Sequence, residues 1–120
     1  MFTLGSQHKF YYHIESVDMR KGFNGLSGLV HYHLQINDST EKVYVFVNKR
    51  RDKVKLLHWR AGGFLLYYKR LEKGIFELPE YEIESGLISL NYTEMIMLID
   101  GISIINIKKN ERYESSKINK

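Results

Sequence analysis

VYVFVNKRRDKVKLLHWRAGGFLLYYKRLEKGIFELP, residues 43–79, alternates apolar, β-branched and aromatic pieces with short basic or glycine-bearing turns. Residues 43–48 hold few polar groups and read as a central strand covered on both faces. Residues 49–52 form a basic turn. Residues 53–59 then return with Lys53, Lys55, Leu57 and Trp59 on one face and Val54, Leu56 and His58 on the other. Ala61, Gly62 and Gly63 turn the chain into a further strand over 64–71, and residues 72–74 lead on to IFELP. Strands joined by such short loops predict an antiparallel meander.

Working outward, KFYYHI at 9–14 reads as a short aromatic strand, and Asp18 is placed to cap a helix running to Leu34. Met19, Phe23, Leu26, Val30 and Leu34 make the apolar stripe of a helix lying on a core. Gly22, Gly25 and Gly28 fall inside it, each costing about 1 kcal/mol in propensity relative to Ala, so close packing of the helix backbone is the expected reason for them. Residues 37–40 are a loop by composition. On the far side, Glu80, Glu82 and Glu84 alternate before the short strand GLISL; Thr93, with Asn91 close by, is placed to cap a helix EMIMLID, which Gly101 ends. ISIINI adds a candidate edge strand, and residues 108–120 read as a flexible polar tail. The expected architecture is α+β: an antiparallel sheet of about five to six strands, one long helix packed on it and a short C-terminal helix. It forms one domain over residues 1–107.

The 120 residues carry a formal charge of +4, and its distribution is uneven. Between Lys49 and Lys73 stand Lys49, Arg50, Arg51, Lys53, Lys55, Arg60, Lys69, Arg70 and Lys73 against Asp52 and Glu72, a net of +7 that leaves −3 for the rest. A field so polarised suits a polyanion. Basic turns and edges also deter aggregation, so charge alone does not decide the matter. Here the charge recurs through successive strands and is interleaved with Trp59, Tyr67 and Tyr68, a pattern suited to backbone contact plus stacking. The candidate nucleic-acid-binding residues are Lys49, Arg50, Arg51, Lys53, Lys55, Arg60, Lys69 and Arg70.

Catalytic chemistry finds little support. With no Cys there is no disulfide framework, thiolate nucleophile or Cys-based zinc site, which fits the cytoplasm. No window approaches the length of a membrane span. There is no G-x-S-x-G elbow, Walker loop or H-E-x-x-H, and no Asp or Glu has a Lys two residues on, as many metal nucleases require. His31 and His33 point apart on a helix, and Glu80, Glu82 and Glu84 read as a solubilising edge. The sequence therefore gives no catalytic residue, metal site, cofactor or small-molecule substrate.

The segments SVDMRKGFNGLSGLV (16–30) and VYVFVNKRRDKVKLLHWRAGGFLLYYKRLEKGIFELP resemble the small accessory protein, called TnpB or the second open reading frame, of the insertion sequence sixty-six type of bacterial transposable elements. D-M-R-K-G-F, F-V-N-K-R-R and Y-Y-K-R-L-E-K-G carry the match, which spans residues 1–102. The resemblance implies a role in transposition beside a separate transposase that holds the acidic catalytic residues. Its implied partners are DNA at the element ends and the cognate transposase. Two departures stand out. Trp59, Arg60, Ala61, Gly62 and Gly63 replace the family's W-D-G-D-G, and the chain continues beyond the usual close after Asp100, Gly101 and Ile102. A DNA-binding accessory factor and a protein adaptor docking the transposase both fit these features.

Overall fold

The computed structural model describes residues 8–36, 41–78, 81, 83 and 85–101. Five strands, β1 (Lys9–His13), β2 (Lys42–Val47), β3 (Lys53–Arg60), β4 (Gly63–Arg70) and β5 (Leu87–Leu90), form one sheet in the order β4-β3-β2-β1-β5. Three helices accompany it: α1 (Phe23–Leu29), α2 (His31–Leu34) and α3 (Tyr92–Asp100). The edge strand expected at 102–107, the tail at 108–120 and the acidic positions 80, 82 and 84 lie outside the described residues.

The β2–β3–β4 meander forms as its turn chemistry dictates. Arg60 pairs with Gly63, leaving Ala61 and Gly62 as a two-residue loop with φ of 52° and 81°. Two successive left-handed residues give the primed turn whose twist matches a hairpin. The sheet as a whole is nevertheless mixed, which corrects the antiparallel expectation. β1 runs parallel to β2, with Lys9 beside Lys42 and Tyr12 beside Val45. Parallel neighbours need a long crossover, and the segment carrying α1 and α2 returns the chain from the end of β1 to the start of β2. β5 then adds antiparallel to the free edge of β1.

The long helix over 18–34 is also corrected. Asp18 does not cap it: its carboxylate accepts hydrogen bonds from the Arg20 backbone N–H (2.9 Å) and guanidinium (2.7–3.1 Å). The 18–21 segment is a turn, closed by the Lys21 N–H to the Asp18 carbonyl at 3.1 Å. Gly22 is the N-cap of α1, and the helix breaks at Val30 (φ −119°, ψ 16°) before α2. Close packing against the sheet does not explain the glycines. A Cβ on Gly22 or Gly28 would meet nothing within 4 Å, and one on Gly25 would meet only the Lys21 side chain, at 3.1 Å. Their weak helix propensity suits a short, interrupted helix.

Both faces of the sheet are covered, and every residue of β2 is buried. One face packs Phe10, Tyr12, Val43, Val45, Val54 and Leu56 against Met95, Leu98 and Ile99 of α3 and against Phe76. The other packs Tyr44, Phe46 and Leu57 against Val17, Leu26 and Val30. Phe23, expected within this stripe, is 48% exposed, because α1 starts later and its phase turns Leu26 inward. Leu26→Ala is therefore expected to cost about 2–5 kcal/mol and Phe23→Ala under about 1 kcal/mol, measured by urea denaturation. Equal losses would contradict this phase.

At α3 the cap is Asn91. Its side chain accepts the Glu94 N–H at 2.7 Å, while the Glu94 carboxylate accepts the Asn91 N–H at 3.0 Å, and Gly101 closes the helix at φ 82°. Such a reciprocal box satisfies two otherwise orphaned donors. Asn91→Ala should cost about 1 kcal/mol in thermal or urea unfolding, and Thr93→Ala less than half of that.

Candidate nucleic-acid interface

The turn between β2 and β3 is braced by one side chain. Asn48 Oδ1 accepts the N–H groups of Asp52 and Lys53, each at 3.0 Å, and its Nδ2 donates to Asp52 Oδ1 at 2.7 Å. The Asn48 hydrogen bond is the main reason the Asp52 carboxyl lies below its usual range. Arg51 takes a left-handed φ of 63°, its N–H bonding to the Asn48 carbonyl at 3.0 Å and its carbonyl accepting the Phe76 N–H at 2.6 Å. Lys49, Arg50 and Arg51 project into solvent from this braced turn, with no carboxylate partner among the described residues.

Across from the turn lies the 16–20 segment. It is tied down by the Val17 N–H to the Val47 carbonyl at 3.0 Å and by Lys55, whose Nζ donates to the Met19 carbonyl at 2.6 Å and the Lys21 carbonyl at 2.8 Å. Between the two runs an open groove of about 560 Å³, lined by Ser16, Val17, Asp18, Met19, Arg20, Asn48, Lys49, Arg50, Lys53 and Tyr68. Among the described residues that line it, Arg20, Lys49, Arg50 and Lys53 are its cations and Asp18 its one carboxylate. The Arg20 hydrogen bonds hold that carboxyl down at about 2, so the pair is ionised throughout the ordinary pH range. Tyr68, 51% exposed, offers an aromatic face in the same groove.

The eight basic candidates are thus divided by the fold. Lys49, Arg50 and Lys53 line the groove, and Arg51 shares their turn. Arg70 sits opposite Lys53 in the sheet register, with its guanidinium on Glu72 at 3.1 Å. Lys55 is buried on its two carbonyls, 4.7 Å from the centre of the Tyr68 ring, and Lys69 Nζ donates to the Ile99 carbonyl at 2.6 Å. Neither residue is among those that line the groove. Arg60 lies at the other end of β3, 3.6 Å from Glu41. Of the interleaved aromatics only Tyr68 joins the site: Tyr67 packs on the α3 face, and Trp59 meets Phe64 edge-on at 4.9 Å.

Sequence reasoning missed Arg20 as a neighbour of the basic turn, although it stands within D-M-R-K-G-F. That motif, F-V-N-K-R-R and the Tyr68 of Y-Y-K-R-L-E-K-G all supply residues to the groove. The histidines divide as well. His31 and His33 have separate partners, Gln35 at 2.8 Å and the Tyr44 hydroxyl at 2.8 Å. The structure instead gathers His8, Glu41 and His58, with Glu41 Oε1 at 2.7 Å from His8 Nε2 and 3.2 Å from His58 Nε2.

A family described as IS66 Orf2 like protein matches residues 8–109. "Uncharacterized protein y4jC" of Sinorhizobium fredii is 29% identical over 104 residues, 87% of each chain. "Uncharacterized protein y4hO" of the same organism is 31% identical over 85 residues, 71% of this chain and 72% of its own. No solved structure matches. With the match running from the start of β1 past the end of α3 and including every residue of the groove, this chain belongs to the IS66 Orf2 like protein family.

Proposed function

We propose that this protein is a non-catalytic accessory factor in transposition of its element and that it binds DNA through the groove between the 16–20 segment and the β2–β3 turn. Family membership supports the transposition role. The observation that carries DNA binding is the exposure of Lys49 and Arg50 on a turn fixed by Asn48, facing Arg20 and flanked by Tyr68. Rigidly held cations spread over adjacent phosphates without a large ordering cost, and an aromatic face accepts any base. The carboxylates nearest this surface do not form a metal cradle: Asp18 pairs with Arg20, Asp52 with Asn48 and Lys53, and Glu72 with Arg70.

Affinity for a short duplex should fall steeply with salt, since each phosphate contact releases counterions. Lys49→Ala with Arg50→Ala should weaken binding and lower the slope of log affinity against log salt by roughly one to two units, with the fold unchanged by circular dichroism. A salt series on both proteins checks this. Identical slopes, or no binding by the wild type at low salt, would favour the second reading, an adaptor docking the transposase. The exposed Phe23, Tyr32 and Ile36 on the helical side, the last two 59% and 55% accessible, support that alternative.

A further inference from the structure

At the end of the sheet opposite the basic turn, the strand register assembles a cluster that is scattered in sequence. Lys9 pairs with Lys42, which sets His8 beside Glu41, each one residue before its strand. Val43 pairs with His58, so Glu41, two residues earlier, lies diagonal to His58 on the same face of the sheet. Side chains alternate along a strand, and His8, Glu41, His58 and Arg60 share the parity of Phe10, Val43 and Leu56, whose side chains pack on the α3 side. The Lys9 N–H bonds to the Glu41 carbonyl at 3.0 Å, tying the two strand starts together.

We infer that His8 Nε2, His58 Nε2 and Glu41 Oε1 form a binding site for one divalent transition-metal ion of the zinc class. The three ligand atoms lie within 4.8 Å of one another. Tetrahedral zinc with bonds near 2.0–2.1 Å holds its ligand atoms about 3.3 Å apart, close to the 2.7 and 3.2 Å between Glu41 Oε1 and the two imidazole nitrogens, so binding would mainly draw the two rings together. The donor set, two imidazoles and one carboxylate, suits zinc, whose three-ligand sites take water as a fourth ligand. The imidazole side chains are 7% and 0% exposed and the glutamate 37%, which provides both a rigid base and an entry path. The His8 and His58 rings meet edge-on at 5.0 Å, fixing their directions. Arg60, 3.6 Å from Glu41 Oε2, occupies the other carboxylate oxygen and leaves Oε1 for single-oxygen ligation. A bound ion would take the place of the hydrogen bonds between Glu41 and the two imidazoles, each ring then carrying its proton on Nδ1, and pin the start of β1 and the start of β2 to the end of β3. This role is independent of the DNA-binding groove.

The test is calorimetric titration of tag-free, chelator-treated protein with Zn²⁺ alone, with Co²⁺ absorption as a second readout of coordination geometry. The expected result is one ion per chain and a raised melting temperature in Zn²⁺. Affinity should fall at least about tenfold in His8→Ala and in Glu41→Gln, and stay unchanged in His31→Ala. Neither His8 nor Glu41 belongs to the packed core, and circular dichroism verifies that each variant folds. Absence of saturable Zn²⁺ binding by the wild type, or binding that survives both His8→Ala and Glu41→Gln, would overturn the assignment.

Discussion

Phe46→Ala is expected to destabilise the protein by about 3–5 kcal/mol, enough to unfold much of a small domain at ordinary temperature. Phe46 is fully buried in the central strand, where it packs with Tyr44, Leu57, Leu26 and Val30 and meets the His13 ring at 5.4 Å. Truncation removes the transfer free energy of the ring and leaves a void. Neighbouring strands on both sides, fixed by ladder hydrogen bonds, cannot close that void. Urea denaturation monitored by circular dichroism measures the loss. A cost under about 1 kcal/mol would mean that the α1 face of the sheet is not packed as described.

Lys55→Met should cost about 3 kcal/mol, although the substitution keeps the aliphatic stem and removes a charge from a buried position. The ammonium group donates to the carbonyls of Met19 and Lys21, and its loss strands two acceptors beneath the 16–21 segment. Loss of a charged donor costs more than loss of a neutral one, because hydrogen bonds to charged groups are the stronger kind. If the groove binds DNA as proposed, the same variant should weaken duplex binding by releasing Arg20 from its place across the groove, although the Lys55 ammonium group is held by carbonyls. Amide exchange at Val17 and Lys21 gives the specific readout, since their N–H groups bond within this segment and to Val47. Unchanged protection with a stability loss below about 1 kcal/mol would show that the latch holds nothing.

The substitutions also separate two meanings of positive charge. Lys49 and Arg50 sit on a turn and retain their hydration, so their removal should change salt-dependent association and leave stability almost untouched. Lys55 and Lys69 are spent on carbonyls, so their removal should change stability first. A stretch that reads as a uniform basic face therefore divides into solvated cations on a turn and internal fastenings.

The sequence by itself determined the elements whose signals are local. The apolar run of β2, the basic turn, a turn at Ala61 and Gly62, and the end of α3 at Gly101 are each set by residues a few positions apart, so period and turn chemistry sufficed, although the cap of α3 is Asn91 and not Thr93 and Gly63 already belongs to β4. The break in the long helix was less legible. Asp18 has the composition of a cap, yet its carboxylate finds the Arg20 guanidinium, and three weak helix formers leave nothing to hold the register through Val30. Tertiary structure alone decided the rest. β1 joins β2 in parallel because the crossover returns the chain to the same end of the sheet, a matter of where the helices dock and not of any local pattern. Charge pattern grouped Lys55 and Lys69 on one basic surface, whereas the register sends them to opposite faces of the sheet, onto the carbonyls of 19 and 21 and of 99. Arg20 meets the basic turn, and His8 and His58 meet Glu41, across long separations in the chain. Such encounters are fixed by strand register and packing, which a sequence pattern specifies only jointly with everything else in the fold.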